Sequence, residues 1–236
     1  MKTSTFSYLK AISFRVLLIC SAAAALASCG KTENADITMS YLRIINESPS
    51  LATYNVYLSG NALNSAALPF AGSISYVSRP AGTYNLKFTS GSSIESLLSK
   101  DISMNAGASY SYYLINKPGQ LDGFLINESL NGGSADKAYI RFINLSADAP
   151  ALDLIKTGTT TSYGANKAFK TAGSFVEVAP GTYSLDAKET ASGIVRTTKT
   201  DATFSAGTYY DVICGGLITP ANDTERSLNL QVLAVK

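Results

Sequence analysis

Two arginines each follow a tyrosine by two residues in near-identical segments. These are Tyr41-Leu42-Arg43-Ile44-Ile45-Asn46 and, 98 residues later, Tyr139-Ile140-Arg141-Phe142-Ile143-Asn144. A guanidinium beside aromatic rings can hold an anionic or sugar ligand through charge and cation–π attraction. More often such an arginine pairs with a local carboxylate or spreads its stem over apolar surface, and the duplication suits both roles. The best-placed acids are Asp148 and Asp153, five residues apart across a Pro-containing loop. They form a candidate loop site. Without the dense Asp/Asn run of a calcium loop no metal is assigned to them, and a solvated carboxylate plus a turn cap account for the pair. Glu177 completes the acids from which a two-carboxylate hydrolase would have to be built.

Other chemistries lack their residues. The 236-residue chain contains no histidine, which removes Ser-His-Asp and Cys-His catalysis, His-ligated metals and imidazole proton transfer. Of three cysteines, only Cys214 lies beyond Cys29, so the body of the chain has neither an internal disulfide nor a Cys-rich zinc site. Ser134-Ala135-Asp136-Lys137 has a Ser-x-x-Lys spacing, but in a Gly-rich stretch and not at a helix start. There is no P-loop, dinucleotide fingerprint or nucleophile elbow. No catalytic residue and no cofactor is expected. Three of the nineteen basic residues precede Cys29 and no acid does, leaving 16 basic against 17 acidic side chains. With no Lys/Arg cluster either, the chain carries no electrostatic footprint for nucleic acid.

The elements that must position these residues begin after an export signal. Residues 1–15 carry Lys2, Lys10 and Arg15, and Val16 to Leu26 is an apolar run too short to span a bilayer as a helix. Leu26-Ala27-Ser28-Cys29 is similar to the lipobox of bacterial lipoproteins. That resemblance implies cleavage before Cys29, lipid on that residue, and anchoring by several acyl chains. The signal is read as residues 1–28 and a lipidated polar tether as residues 29–37. The absence of Asp after Cys29 implies, by the same resemblance, an outer-membrane address.

Beyond the tether the chain repeats itself. Pro80-Ala81-Gly82-Thr83-Tyr84 returns as Ala179-Pro180-Gly181-Thr182-Tyr183, and Asp101 to Gly107 returns as Asp201 to Gly207. The first repeat is assigned to residues 38–130, a flexible linker to residues 131–136, and the second repeat to residues 137–236. Inside each copy the apolar residues alternate with period two. Leu42 and Ile44, Ile140 and Phe142, and Tyr110, Tyr112 and Leu114 against Tyr210, Val212 and Cys214 mark inward faces. Short strands with Gly, Pro, Asn and Ser turns about every ten residues indicate an all-β fold, two tandem antiparallel β-sandwich domains. In that frame Cys214 fills a core position, and Tyr84 and Tyr183 sit near sandwich corners. Tyr41, Arg43, Tyr139 and Arg141 then occupy the opposite face, where they can meet a partner. Tyr57, Tyr113 and Tyr209 also fall on outward positions that suit a glycan-stacking platform.

Both copies resemble the bacterial domain of unknown function 4397. The residues that carry the likeness are the opening Arg-containing strand, the Ser146-Ala147-Asp148-Ala149-Pro150 loop with Asp153, and the Pro-Ala-Gly-Thr-Tyr-like turns. The first copy departs at its loop, with Pro49-Ser50-Leu51-Ala52 and Asn55. The resemblance implies an immunoglobulin- or prealbumin-like sandwich in an exported protein and brings no activity with it. The expectation is a non-catalytic, lipid-anchored envelope protein for binding, adhesion or structural support. Its partners would be the membrane, through its lipid, and a glycan or an envelope protein. A glycan-binding accessory role and a carboxylate-dependent hydrolase are the alternatives.

Overall fold

The computed structural model describes residues 38–130 and 132–235. The expected export signal and Cys29 lie outside them. The first repeat runs β1 (Met39–Asn46), β2 (Tyr54–Leu58), β3 (Asn61–Ala62), β4 (Ser73–Pro80), β5 (Gly82–Ser90), β6 (Ser96–Met104), β7 (Ser109–Ile115) and β8 (Asp122–Glu128). The second runs β9 (Ala138–Asn144), β10 (Leu152–Lys156), β11 (Ser162–Lys167), β12 (Thr171–Ala172), β13 (Val176–Val178), β14 (Gly181–Glu189), β15 (Val195–Phe204), β16 (Tyr209–Gly215) and β17 (Asn229–Ala234). The chain is all-β, as the period-two alternation requires.

Each repeat is a sandwich of two sheets. The first pairs β4-β1-β7-β8 with β3-β2-β5-β6, and the second pairs β12-β9-β16-β17 with β11-β10-β14-β15. Most pairings are antiparallel, but β1 runs parallel to β7 and β9 parallel to β16. A parallel pair needs a long crossover, and here the strands of the opposite sheet supply it.

The inward residues form two cores. Leu42, Ile44, Tyr54, Phe88, Tyr112 and Leu114 pack in the first, and Ile140, Phe142, Leu154, Leu185, Val212 and Cys214 in the second. The corner tyrosines are Tyr110 and Tyr210, whose hydroxyls accept the backbone N–H of Asn105 and Ser205, each at 3.0 Å. Of the two expected at corners, Tyr84 donates to the Pro80 carbonyl at 2.7 Å, whereas Tyr183 stacks on Phe204 with centroids 4.8 Å apart. Cys214 is a buried free thiol whose pKa burial pushes well up. It should therefore resist a thiol reagent in the folded chain and react at the rate of unfolding; prompt labelling of the native protein would contradict this.

A third apolar cluster joins the two sandwiches. Ile45, Tyr113 and Ile115 from β1 and β7 meet Ile143, Leu145 and Ile213 from the second repeat. The outer face of the β1 sheet is thus the inner face of an inter-repeat contact, and the described residues form one compact unit. Backbone bonds reinforce it: Leu51 N–H donates to the Thr224 carbonyl at 2.8 Å and Arg226 N–H to the Pro49 carbonyl at 3.1 Å. At the rim Lys170 pairs with Asp122 at 2.5 Å and Lys117 with Glu225 at 2.7 Å. Such half-exposed pairs contribute at most about 1 kcal/mol each.

Candidate functional site

The repeated arginines meet in the middle of this contact. Arg43 and Arg141 are 5% and 4% exposed, so they are not free to meet a partner. The reason is the stacking of the β1 and β9 sheets through the faces that a single sandwich would leave in water. Tyr139 is buried there as well, and only Tyr41, at 42%, keeps the exposure expected of it.

Each repeat contributes one arginine and one acid. Arg43 ion-pairs with Asp211 across the contact, while its Nε donates to Ser111 Oγ at 2.6 Å and its Nη1 to the Ala234 carbonyl at 2.9 Å. Arg141 Nε donates to Asp211 Oδ1 at 2.8 Å, and its Nη1 lies 2.9 Å from Glu128 Oε2. The Tyr113 hydroxyl donates to Asp211 Oδ2 at 2.6 Å, and Ser111 Oγ donates to Glu128. Burial alone pulls the Arg141 guanidinium down, but Asp211 and Glu128 more than reverse it and leave its pKa raised. Burial also raises the Tyr113 phenol, and the Asp211 charge raises it further. The seam is a neutral set of two cations and two anions, the arrangement in which buried charge is tolerable.

The acids come from non-equivalent positions. Asp211 replaces Ser111 of the first repeat in the register of β16 against β7, and Glu128, at the end of β8, has Val235 as its counterpart. The duplicated arginine and the non-duplicated carboxylates together make the face of one repeat complementary to that of the other.

Beside the seam the same notch is built twice. Arg43 lies over Tyr76 with 5.6 Å to the ring centroid, and Arg141 over Phe175 with 4.5 Å. In the first notch the end of β17 closes in, with Leu233, Ala234 and Val235 leaving about 160 Å³. In the second, the chain after β8 packs against Tyr139 and Tyr209 at Gly133 and lines, with Gly132, an open cleft of about 540 Å³. Its apolar wall is Phe175 edge-on to Tyr209, centroids 5.0 Å apart, with Tyr209 stacked on Tyr139 at 4.4 Å. Its polar groups are Asn127, Ser129, Ser174 and the Glu177 carboxylate.

The remaining candidate residues stand apart from this cleft. Asp148 accepts the backbone N–H groups of Ile218 and Thr219 at 2.8 and 2.9 Å and so holds the loop after β16. Asp153 accepts Asn166 N–H and the Thr190 hydroxyl, both at 2.7 Å. Each acts as a loop cap, and no group of acids able to hold a metal ion occurs among the described residues. The three tyrosines expected to form a platform do not converge: Tyr113 is buried in the contact, Tyr209 lines the cleft, and Tyr57 sits under Lys87 on the opposite sheet of the first repeat. Sequence reasoning missed Glu128, Asp211 and Phe175. The signal for Asp211 was its replacement of Ser111 in an otherwise matching strand.

Among solved structures, the chain is similar to the family 26 carbohydrate-binding module CBMbc of Amy13K from Eubacterium rectale, crystallised with maltoheptaose. The two are 10% identical, covering 84% of this chain and 96% of that one, with a TM-score of 0.26. The TIE protein of Bacillus anthracis is 14% identical, covering 76% of this chain and 34% of that one, with a TM-score of 0.24. A leucine-rich repeat protein from Bacteroides thetaiotaomicron is 12% identical, covering 80% and 27%, with a TM-score of 0.21. Likenesses this distant carry no argument about function. No curated protein matches the chain. One family model does, spanning the first sandwich, the linker and the strands β9 and β10: residues 40–155 match the domain of unknown function DUF4397.

Proposed function

We propose that this chain is a non-catalytic, lipid-anchored protein of the cell envelope. Two DUF4397-like repeats act as one rigid body and hold a ligand in the cleft that the seam leaves open. The observation that carries the proposal is the asymmetry of the duplicated notch: one copy leaves about 160 Å³ and the other about 540 Å³ beside a seam that fixes both walls. A binding reading suits the acids better than a hydrolytic one. Asp148 and Asp153 are engaged in loop caps, and Glu177 is the one acid lining the cleft among the described residues, whereas glycoside hydrolysis uses a facing pair.

The anchor rests on the lipobox-like Leu26-Ala27-Ser28-Cys29, and the outer membrane is the proposed address. Fractionation tests it: the natural chain should sediment with membranes and Cys29→Ala should appear in the soluble fraction. A Cys29→Ala protein that still sediments would overturn the anchor. Protease treatment of intact cells then separates surface display from a periplasmic position.

A further inference from the structure

The chemistry of the open cleft narrows what it can hold. Arg141 lines it, but its guanidinium is committed to Asp211 and Glu128 and its face is covered by Phe175. Among the described residues no cation in the lining is therefore free to receive an anion, and the one available charge is the exposed Glu177 carboxylate. A phosphorylated or carboxylated ligand would meet repulsion here with no compensating pair.

The uncharged groups point the same way. The side chains of Asn127, Ser129 and Ser174 bring an amide and two hydroxyls, both donors and acceptors, to the cleft lining. The Phe175 ring and the edge of the Tyr139–Tyr209 stack form an apolar wall on one side. A neutral ring with hydroxyls on its rim and C–H groups on its face satisfies both. The cleft's volume of about 540 Å³ falls within the roughly 300–1,000 Å³ of small-molecule sites.

We infer that the cleft between β8 and β12–β13 binds a neutral oligosaccharide, with Asn127, Ser129, Ser174 and Glu177 as its hydrogen-bonding residues and Phe175 as its contact face. This rests on the binding role proposed above and assigns its ligand class. The narrower notch around Arg43 serves as an internal comparison. There Ser75 and Tyr76 stand where Ser174 and Phe175 stand, but the end of β17 leaves only about 160 Å³, below the roughly 300–1,000 Å³ of small-molecule sites.

Titration calorimetry of the full chain tests the inference, with cellohexaose, maltohexaose and the chitin hexamer as neutral probes and hexagalacturonate as the anionic one. At least one neutral probe should saturate at one per chain, with hexagalacturonate at least tenfold weaker. The double variant Asn127→Ala/Ser174→Ala should bind the neutral probe at least tenfold more weakly. Both side chains are exposed and have no hydrogen-bond partner among the described residues, so its melting temperature should not move. The inference is overturned if no neutral probe saturates, if hexagalacturonate binds as tightly, or if the double variant binds unchanged. Because membrane fractionation of Cys29→Ala reads the anchor separately, a failure here removes the ligand class and leaves the envelope assignment standing.

Discussion

Replacing Asp211 with Ala should destabilise the chain by about 3–5 kcal/mol, the usual cost of breaking a buried ion pair from one side. Asp211 accepts from Arg43, Arg141 and the Tyr113 hydroxyl. Its loss leaves two buried guanidiniums facing the single carboxylate of Glu128. For a unit of this size that corresponds to a melting temperature lower by roughly 10 °C. Thermal or urea unfolding monitored by tyrosine fluorescence reads it directly, and a change below about 1 kcal/mol would show that the seam is solvated. A second variant separates the role of charge from that of packing. Replacing Arg43 and Arg141 with Met and Glu128 and Asp211 with Leu together removes the desolvation cost along with the attraction. That fourfold variant should lie much closer to the natural chain than Asp211→Ala alone.

Raising the pH from 5 to 8 should weaken the fold, and Glu47→Gln should abolish most of that slope. Glu47 follows β1 and is fully buried against the second repeat. Its Oε2 accepts the Gln231 amide at 3.0 Å, its Oε1 has no partner among the described residues, and Gly215 faces it so closely that a Cβ there would lie 2.1 Å from Oε2. Burial raises its pKa to about 8, and the Gln231 hydrogen bond only partly offsets this. The folded chain therefore keeps a proton that the unfolded chain releases above about pH 4.5. The stabilisation from this proton is complete below the unfolded value and is lost as the pH climbs through the folded one, with a slope of at most about 1.4 kcal/mol per pH unit. No histidine titrates in this window, so the slope can be assigned. Glu47→Gln keeps the partner and removes the charge. It should match the natural chain at pH 5 and exceed it at pH 8, and identical pH profiles for the two proteins would contradict the buried carboxyl.

The sandwich cores were legible in the sequence because one inward face per strand reads as simple alternation. Leu42, Ile44, Ile140 and Phe142 could be assigned from spacing alone. The contact between repeats was not, although its trace is present. β1 and β9 carry Ile45 and Ile143 on the supposedly exposed face, the near-continuous apolar run of a strand buried on both sides. Alternation assigns one face to water and cannot say whether a second copy will cover it. Arg43 and Arg141 strengthened the wrong inference, since a charged side chain marks solvent until its counter-charge is known. Asp211 lies 168 residues from Arg43 and 70 from Arg141, Glu128 lies 13 from Arg141, and neither acid is duplicated. The cleft was illegible for a related reason. It arises from a difference between the copies in the chain that flanks the notch, Leu233 to Val235 at the first and Ile126, Asn127, Ser129, Gly132 and Gly133 at the second, and not from any motif within one.

The two sandwiches form one body through the seam, and that body fixes both walls of the cleft. Scanning calorimetry of the chain tests this most directly. A welded pair should unfold in one transition whose calorimetric and van't Hoff enthalpies agree, and Asp211→Ala should split that transition or move it down. Two separate transitions in the natural chain, each unmoved by Asp211→Ala, would contradict it.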